Sequence, residues 1–312
     1  MTTDVTAAPR RADADPAAAE LVDALARATG ARPGHRVSHP EGILVAGTFT
    51  ASARARELSS AAHLQGAPVP VTARFSNAST DPHRDDAAIG QPRGMSVESA
   101  LPDGSEPDVV CQSWPVFIVR TPAEFLAFMQ AQIAGPEQLG AFIGAHPATA
   151  AALELVSQVA APPRSGPRPP PLERRARAVR RAGDAVCGAL EFTPEAGEQL
   201  LTDAEAGAAG PDHLMTEIVE RLPVRFRLRA QLAAPGDPTD ESTARWPAGR
   251  EWVDMGGRGA DRPGHHPRDR RRPARHGPTR VTPGVELSDD PILHVRKAAY
   301  AVSAAQRSPA RA

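Results

Sequence analysis

The sequence predicts an α+β fold built on a mostly antiparallel sheet. Two observations carry this. Residues 69–77 and 223–231 alternate apolar and polar side chains with a period of two, as strands with one face on a core do. The early part of the chain then gives strand-like runs interrupted by helices, and the late part is mainly helical.

A first helix is expected after Asp15, with Asp15 as its cap, Pro16 at its first position and Gly30 as its stop. Leu21, Val22, Leu25 and Ala28 give it one apolar stripe. Residues 1–15 are small, polar and charged without periodicity and are expected to be disordered. Residues 43–50 predict a buried strand and 51–63 a short helix. In 69–77, Val69, Val71, Ala73 and Phe75 share one face and Thr72, Arg74 and Ser76 the other. Strand-like runs recur at 93–99 and 108–119. Thr121-Pro122-Ala123-Glu124 is a capping box that opens a helix carrying Phe125, Phe128 and Met129. Helices follow at 136–145, 147–160 and 210–222, then the strand at 223–231, and a last helix from Pro291 to Gln306 with Asp289 or Asp290 at its start.

Composition narrows the function classes. The net charge is −1, so nothing global points to nucleic acid or an anionic membrane. Cys111 and Cys187 stand far apart and build neither a disulfide framework nor a Cys/His zinc spacing. No run approaches the ~20 apolar residues of a membrane span, and the N-terminus lacks a basic-then-apolar leader. The expectation is a soluble cytoplasmic protein.

Two segments, 162–192 and 256–280, break the pattern with dense Arg, Pro and Gly. Lys297 is the only lysine against 35 arginines, a sign of a GC-rich gene. In such DNA a shifted reading frame stays open and yields this composition. Both segments stop abruptly against patterned sequence, Phe192-Thr193-Pro194-Glu195 and Val281-Thr282-Pro283-Gly284. They are therefore read as local frame slips, with a flexible linker or a basic arm as the alternatives.

Tyr300, the only tyrosine, lies four residues after Arg296 on the last helix. Tyrosinate can hold ferric haem, and an arginine one turn away on the same face stabilises the phenolate. A half-buried packing tyrosine is the plain alternative. His39, in Arg36-Val37-Ser38-His39-Pro40-Glu41-Gly42 just before a buried strand, can project an imidazole into a cavity as a general acid/base, or be an exposed turn histidine.

The ordered set R-V-x-H-x-x-G (36–42), R-F-S (74–76), P-R-G (92–94), D-x-V-x-x-x-x-P-V-F (108–117), R-T-P-x-x-F (120–125) and R-x-x-x-Y (296–300) resembles the haem catalases. The short length and Gln112, where large catalases carry asparagine, resemble the small catalase-related peroxidase branch. The resemblance covers roughly 30–160, 193–255 and 278–307. It implies one catalase-like antiparallel β-barrel domain over 16–312 with surrounding helices and a haem b cofactor. His39 then matches the distal histidine that moves a proton between the oxygens of hydrogen peroxide, help of about 10²–10⁴-fold. Gln112 matches the distal amide; its extra methylene favours peroxidase turnover with a small organic electron donor over dismutation. Tyr300 matches the iron ligand and Arg296 its charge partner. Arg36, Arg74 and Arg307 match propionate-binding arginines, Phe117 a distal wall and Phe125 an aromatic packed on the porphyrin. A homo-oligomer is compatible with this, and no nucleic-acid or membrane partner is implied.

The sequence departs from the family in the two Arg-rich segments. The family supplies barrel strands and a polar support for the proximal arginine in the stretch matching 162–192, and a strand and loop in that matching 256–277. The expected barrel is therefore incomplete there, with open strand edges. Besides the peroxidase, a non-enzymatic haem binder on a degraded barrel, an inactive damaged gene product, and a fatty-acid hydroperoxide enzyme on the same fold fit the residues.

Overall fold

The structure is a computed structural model describing residues 15–32, 34–78, 92–159, 174–179, 185–197, 208, 212–263 and 276–307. The stretch 1–14, and within the two Arg-rich segments residues 162–173, 180–184 and 264–275, lie outside the described residues.

The helix starts follow from the caps. Helix α1 (Pro16–Thr29) begins where the Asp15 carboxylate accepts the Ala17 N–H at 3.0 Å, and it ends at Gly30, φ 69°. Then come β1 (Gly42–Ala51) and α2 (Ala53–Leu58). The helix expected over 51–63 stops at Ser59, whose hydroxyl donates to the Gly284 carbonyl and accepts the Ala61 N–H, so a side chain takes over bonds the helix would have made. A 3₁₀ turn at Ala62–Leu64 completes the connection.

Strands β2 (Val69–Asn77), β3 (Arg93–Ser99) and β4 (Asp108–Gln112) follow. The run 108–119 is a strand only to Gln112. Ser113 N–H still bonds the Arg93 carbonyl at 2.8 Å, but Pro115 has no donor to continue the ladder, and Phe117 N–H turns to Ser242 at 2.9 Å. Helices α3 (Pro122–Ala134), α4 (Pro136–Ala145) and α5 (Pro147–Val159) come next. In α3 the Thr121 hydroxyl accepts the Glu124 N–H at 3.1 Å, and the Glu124 carboxylate reaches back to the Arg120 N–H at 2.8 Å.

Among the described residues the Arg-rich segments do not leave the barrel without strands. Both contribute strands: β5 (Arg174–Val179) and β6 (Ala185–Pro194) in or across the first, and β8 (Trp252–Pro263) entering the second. Between them lie α6 (His213–Glu220) and β7 (Val224–Leu232); β9 (Val285–Leu287) and α7 (Pro291–Arg307) close the chain. Strand β8 is legible only as packing. A Cβ on Gly47 of β1 would sit 1.7 Å from the Gly259 carbonyl oxygen, and one on Gly256 (φ 132°) would sit 2.3 Å from that of Thr50. Glycine is used where backbones approach too closely for a side chain.

All nine strands form one antiparallel sheet in the order β4-β3-β2-β1-β8-β7-β6-β5-β9. It curls on itself, and the segment before β9 joins its ends. Arg280 accepts the Asp108 N–H on its carbonyl at 3.0 Å. Its guanidinium binds Asp108 at 2.7 Å, Glu106 at 3.4 Å and Glu98. Burial alone would lower the Arg280 pKa, but the hydrogen bonds and charges of Asp108 and Glu98 outweigh it and raise it. The barrel interior holds Val45, Phe49, Phe75, Met95, Phe192, Phe226, Leu228 and Met255. Outside it, α1 packs on α3 and α7 through Ala24, Ile118, Phe128, Met129 and Ile292, and through Val22, Val37 and Val302. Among the described residues no single helix is long and apolar enough to cross a membrane.

Candidate active site

Strand alternation separates the site from the core. Ile43, Phe75, Met95 and Cys111 stand side by side across β1–β4 and face the barrel interior. One residue along, Gly42, Ser76, Gly94 and Gln112 are cross-strand partners and share the other face. On β2 that face is covered, where a polar strand face would be solvated: Thr72 is 1% and Arg74 9% exposed. The loop 36–41 and the helix layer cover it.

His39 lies on this wall. Its φ is 53°, a left-handed backbone that non-glycine residues rarely adopt. Its imidazole rests on Gly94, where a Cβ would come 2.9 Å from Nδ1 and 3.0 Å from Cε1. Nδ1 is 3.1 Å from the Ser76 hydroxyl, which in turn donates to the Gly94 carbonyl at 3.5 Å. With the hydroxyl proton so directed, Nδ1–H donates to Ser76 and Nε2 keeps the lone pair. Arg74 fixes the loop by donating to the carbonyls of His39 at 2.9 Å and Pro40 at 3.2 Å. A Cβ on Gly42 would meet that guanidinium at 2.7 Å and the Phe75 carbonyl at 2.4 Å. Both motif glycines thus leave room for functional side chains. Ser76, Gly42 and Gly94 were visible in the motifs only as spacing; the register of three strands is what gives them roles.

Burial first, then the charges of Arg74, Arg296 and Arg36, push the His39 pKa down to about 3. The imidazole is therefore neutral throughout the neutral range.

Helix α7 presents Arg296, Tyr300 and Arg307 at intervals of four and seven residues, one face of the helix. The Arg296 Nη2 donates to the Tyr300 phenol oxygen at 2.7 Å, and its guanidinium lies 5.4 Å from the ring centre. Arg74 is pushed down to about 9 by burial, then by the charges of Arg36 and Arg307, against opposing effects of Glu41 and Tyr300. Burial lowers Arg36 as well, and Tyr300 partly offsets it. His39, Arg36, Arg74, Arg296, Tyr300 and Arg307 therefore lie near enough for their charges to be felt across the group. Gln112 ends the glycine row on the same wall. Phe117 and Phe125 stand edge to face, centres 5.3 Å apart, in the helix-side cluster that includes Trp114 and Ile292 of α7.

Comparison with known proteins bears on the family and the fold. The sequence model of the catalase family matches residues 14–142. The chain is 36% identical over 299 residues to a catalase-related peroxidase of Mycolicibacterium paratuberculosis, covering 93% of this chain and 94% of that one. It is 28% identical over 300 residues to a catalase-related peroxidase of Synechococcus elongatus, covering 93% and 88%. Among solved structures it resembles a bacterial catalase with TM-score 0.74 at 19% identity, over all of this chain and 64% of that one. A fungal catalase gives TM-score 0.71 at 19% identity, over 88% of this chain and 60% of that one. The chain thus spans under two thirds of these catalases.

Proposed function

Since the chain belongs to the catalase superfamily, in its small catalase-related peroxidase branch, we propose that it is a haem-dependent peroxidase that reduces hydrogen peroxide, or an organic hydroperoxide, with a small organic electron donor. One observation carries the reading: a neutral imidazole and a phenol with an arginine on its oxygen lie beside the same cluster of buried arginines.

The residues fit a haem. The glycines at 42 and 94 keep the barrel-side wall free of Cβ atoms where His39 and Arg74 sit. Burial first, then the charges of Arg36 and Arg307, depress Arg74, and so buried a cluster of guanidinium groups suits an anionic guest such as paired propionates. Tyr300 would hold the iron, Arg296 would keep its oxygen anionic, and Phe117 and Phe125 would pack on the ring. When bound, haem supplies the redox-active iron that accepts an oxygen from peroxide.

The chain's own residues do the rest. His39 Nε2 takes a proton from one peroxide oxygen and returns it to the other, so that the O–O bond breaks with water as leaving group. Ser76 fixes the tautomer that makes Nε2 the acceptor. The low basicity of the imidazole prevents it from keeping the proton. Gln112 donates an amide N–H to the peroxide from the same wall.

The test is the absorbance spectrum of purified, haem-supplemented protein before and after peroxide, with a peroxide-dependent dye assay. A Soret band, and turnover lost in His39→Asn, are expected. Folded protein without a Soret band overturns the proposal, and haem binding without turnover reduces it to a haem binder.

A further inference from the structure

The seam that closes the barrel contains a second group of ligating side chains, at the other ends of β3 and β4 from Gly94 and Gln112. Glu98 on β3 and Asp108 on β4 are cross-strand partners. They are 3% and 2% exposed, and His276 beside them is 6% exposed. Each of the three offers a ligand atom within 4.8 Å of the others'. His276 is the unexpected member. Among the described residues neither of its ring nitrogens has a hydrogen-bond partner, although a buried imidazole left so loses the hydration of both nitrogens. Its Nδ1 stands 3.6 Å from Asp108 Oδ1, too far for a hydrogen bond. Two donors on one tetrahedral ion with bonds of ~2.0–2.1 Å stand about 3.4 Å apart, so the gap fits a shared cation.

The surroundings have the form of a support for ligands. Asp108 Oδ2 accepts from the Gly277 N–H and from Arg280 Nε, which directs Oδ1 toward His276. Arg280 Nη2 binds Glu98 in the same way. Outer groups that orient ligating carboxylates are a regular part of metal sites.

We propose that Glu98, Asp108 and His276 form a structural site for a divalent cation of the zinc class, which staples the two ends of the sheet. One imidazole with two carboxylates suits zinc or a neighbouring transition metal, and is a poor set for calcium or magnesium, which take oxygen. The ion would tie β3 and β4 to the segment that leads into β9, and so lock the barrel shut.

The experiment uses haem-supplemented full-length protein stripped with a chelator, titrated with zinc chloride, and compared with His276→Phe, whose apolar ring removes the unbonded nitrogens. Zinc held elsewhere on the chain is common to both and cancels. Wild type should bind one more equivalent than the variant. At zinc one hundred-fold above Kd its Tm should rise by about 5 °C, with no such rise in His276→Phe. If that variant does not fold, Glu98→Gln keeps the shape of the seam and should weaken the site by at least ~10-fold. Equal zinc stoichiometry and equal Tm shifts in wild type and whichever variant folds overturn the proposal and leave an ion-pair cluster only.

Discussion

Substituting His39 by asparagine should flatten the acid sensitivity of the fold by an amount that follows from its pKa. Free histidine titrates near 6.5, and in the folded protein burial and the nearby arginines hold His39 down to about 3. Between these values the unfolded chain binds a proton that the native chain refuses. The stability contribution is thus fully present above pH ~6.5 and is lost as pH falls toward the folded pKa, at about 1.4 kcal/mol per pH unit. At about pH 4.5, two units below the unfolded value, the loss is about 2.7 kcal/mol. Asparagine does not titrate and tolerates the left-handed backbone at this position. Urea unfolding of wild type and His39→Asn between about pH 7 and 4.5 measures the difference, since other titrations are common to both. His63, lowered to about 4 by burial alone, predicts a similar flattening in His63→Asn, without loss of peroxide turnover. If His39→Asn loses as much stability with acid as wild type does, the imidazole is solvated and the electrostatic reading of the site is wrong.

Three other outcomes are expected. Tyr300→Phe removes the oxygen that Arg296 addresses and should abolish the Soret band of haem-supplemented protein while its far-UV circular dichroism is kept. Gly94→Ala puts a methyl 2.9 Å from His39 Nδ1 and 2.8 Å from Ser76 Oγ, which should lower kcat/KM for peroxide by roughly 10²-fold for a stability cost of about 1–3 kcal/mol in chemical unfolding. Arg258→Met should stabilise the protein by about 1–4 kcal/mol, because Arg258 is 1% exposed, none of its guanidinium nitrogens is bonded among the described residues, and burial pushes its pKa down to about 9.

Much of the fold was legible because local rules and tertiary structure agree. Asp15 and Gly30 bracket α1, Thr121 opens α3 and Asp290 opens α7 by accepting the Ile292 N–H at 2.9 Å. The alternation in 69–77 and 223–231 is the alternation of β2 and β7. The reading failed where packing decides. Gly256 looks like a breaker, yet a side chain there would strike Thr50 of β1, and Gly47 of β1 in turn has no room for one against Gly259. Arg174, Arg175 and Arg177 hide a strand whose pairing with β6 and β9 is a property of the sheet and not of the segment. Arg258 marks what remains in conflict. It faces the interior between Phe49 and Phe226, where every other level of structure asks for an apolar residue.

The candidate site was legible as residue types in order, but its geometry was not, because that geometry is the back of the core. Phe75 and Met95 fill the barrel while their neighbours Ser76 and Gly94 hold His39. A slip of one residue in the β2–β3 register would turn the phenylalanine and methionine toward the imidazole and Ser76 into the core. The apolar side chains thus fix the registration on which the proton acceptor depends, although none of them contributes a polar contact to it. The loop that carries His39 adds a second constraint, since its left-handed backbone is held by two bonds from Arg74. Arg74 therefore does two things from one position. It adds positive charge that lowers the imidazole's basicity, and it pins the carbonyl of the same residue. Removing it would raise the His39 pKa and release its ring together, so the electrostatic and positional parts of its role are separable only by a variant such as Arg74→Lys, which keeps the charge and loses the forked pair of hydrogen bonds.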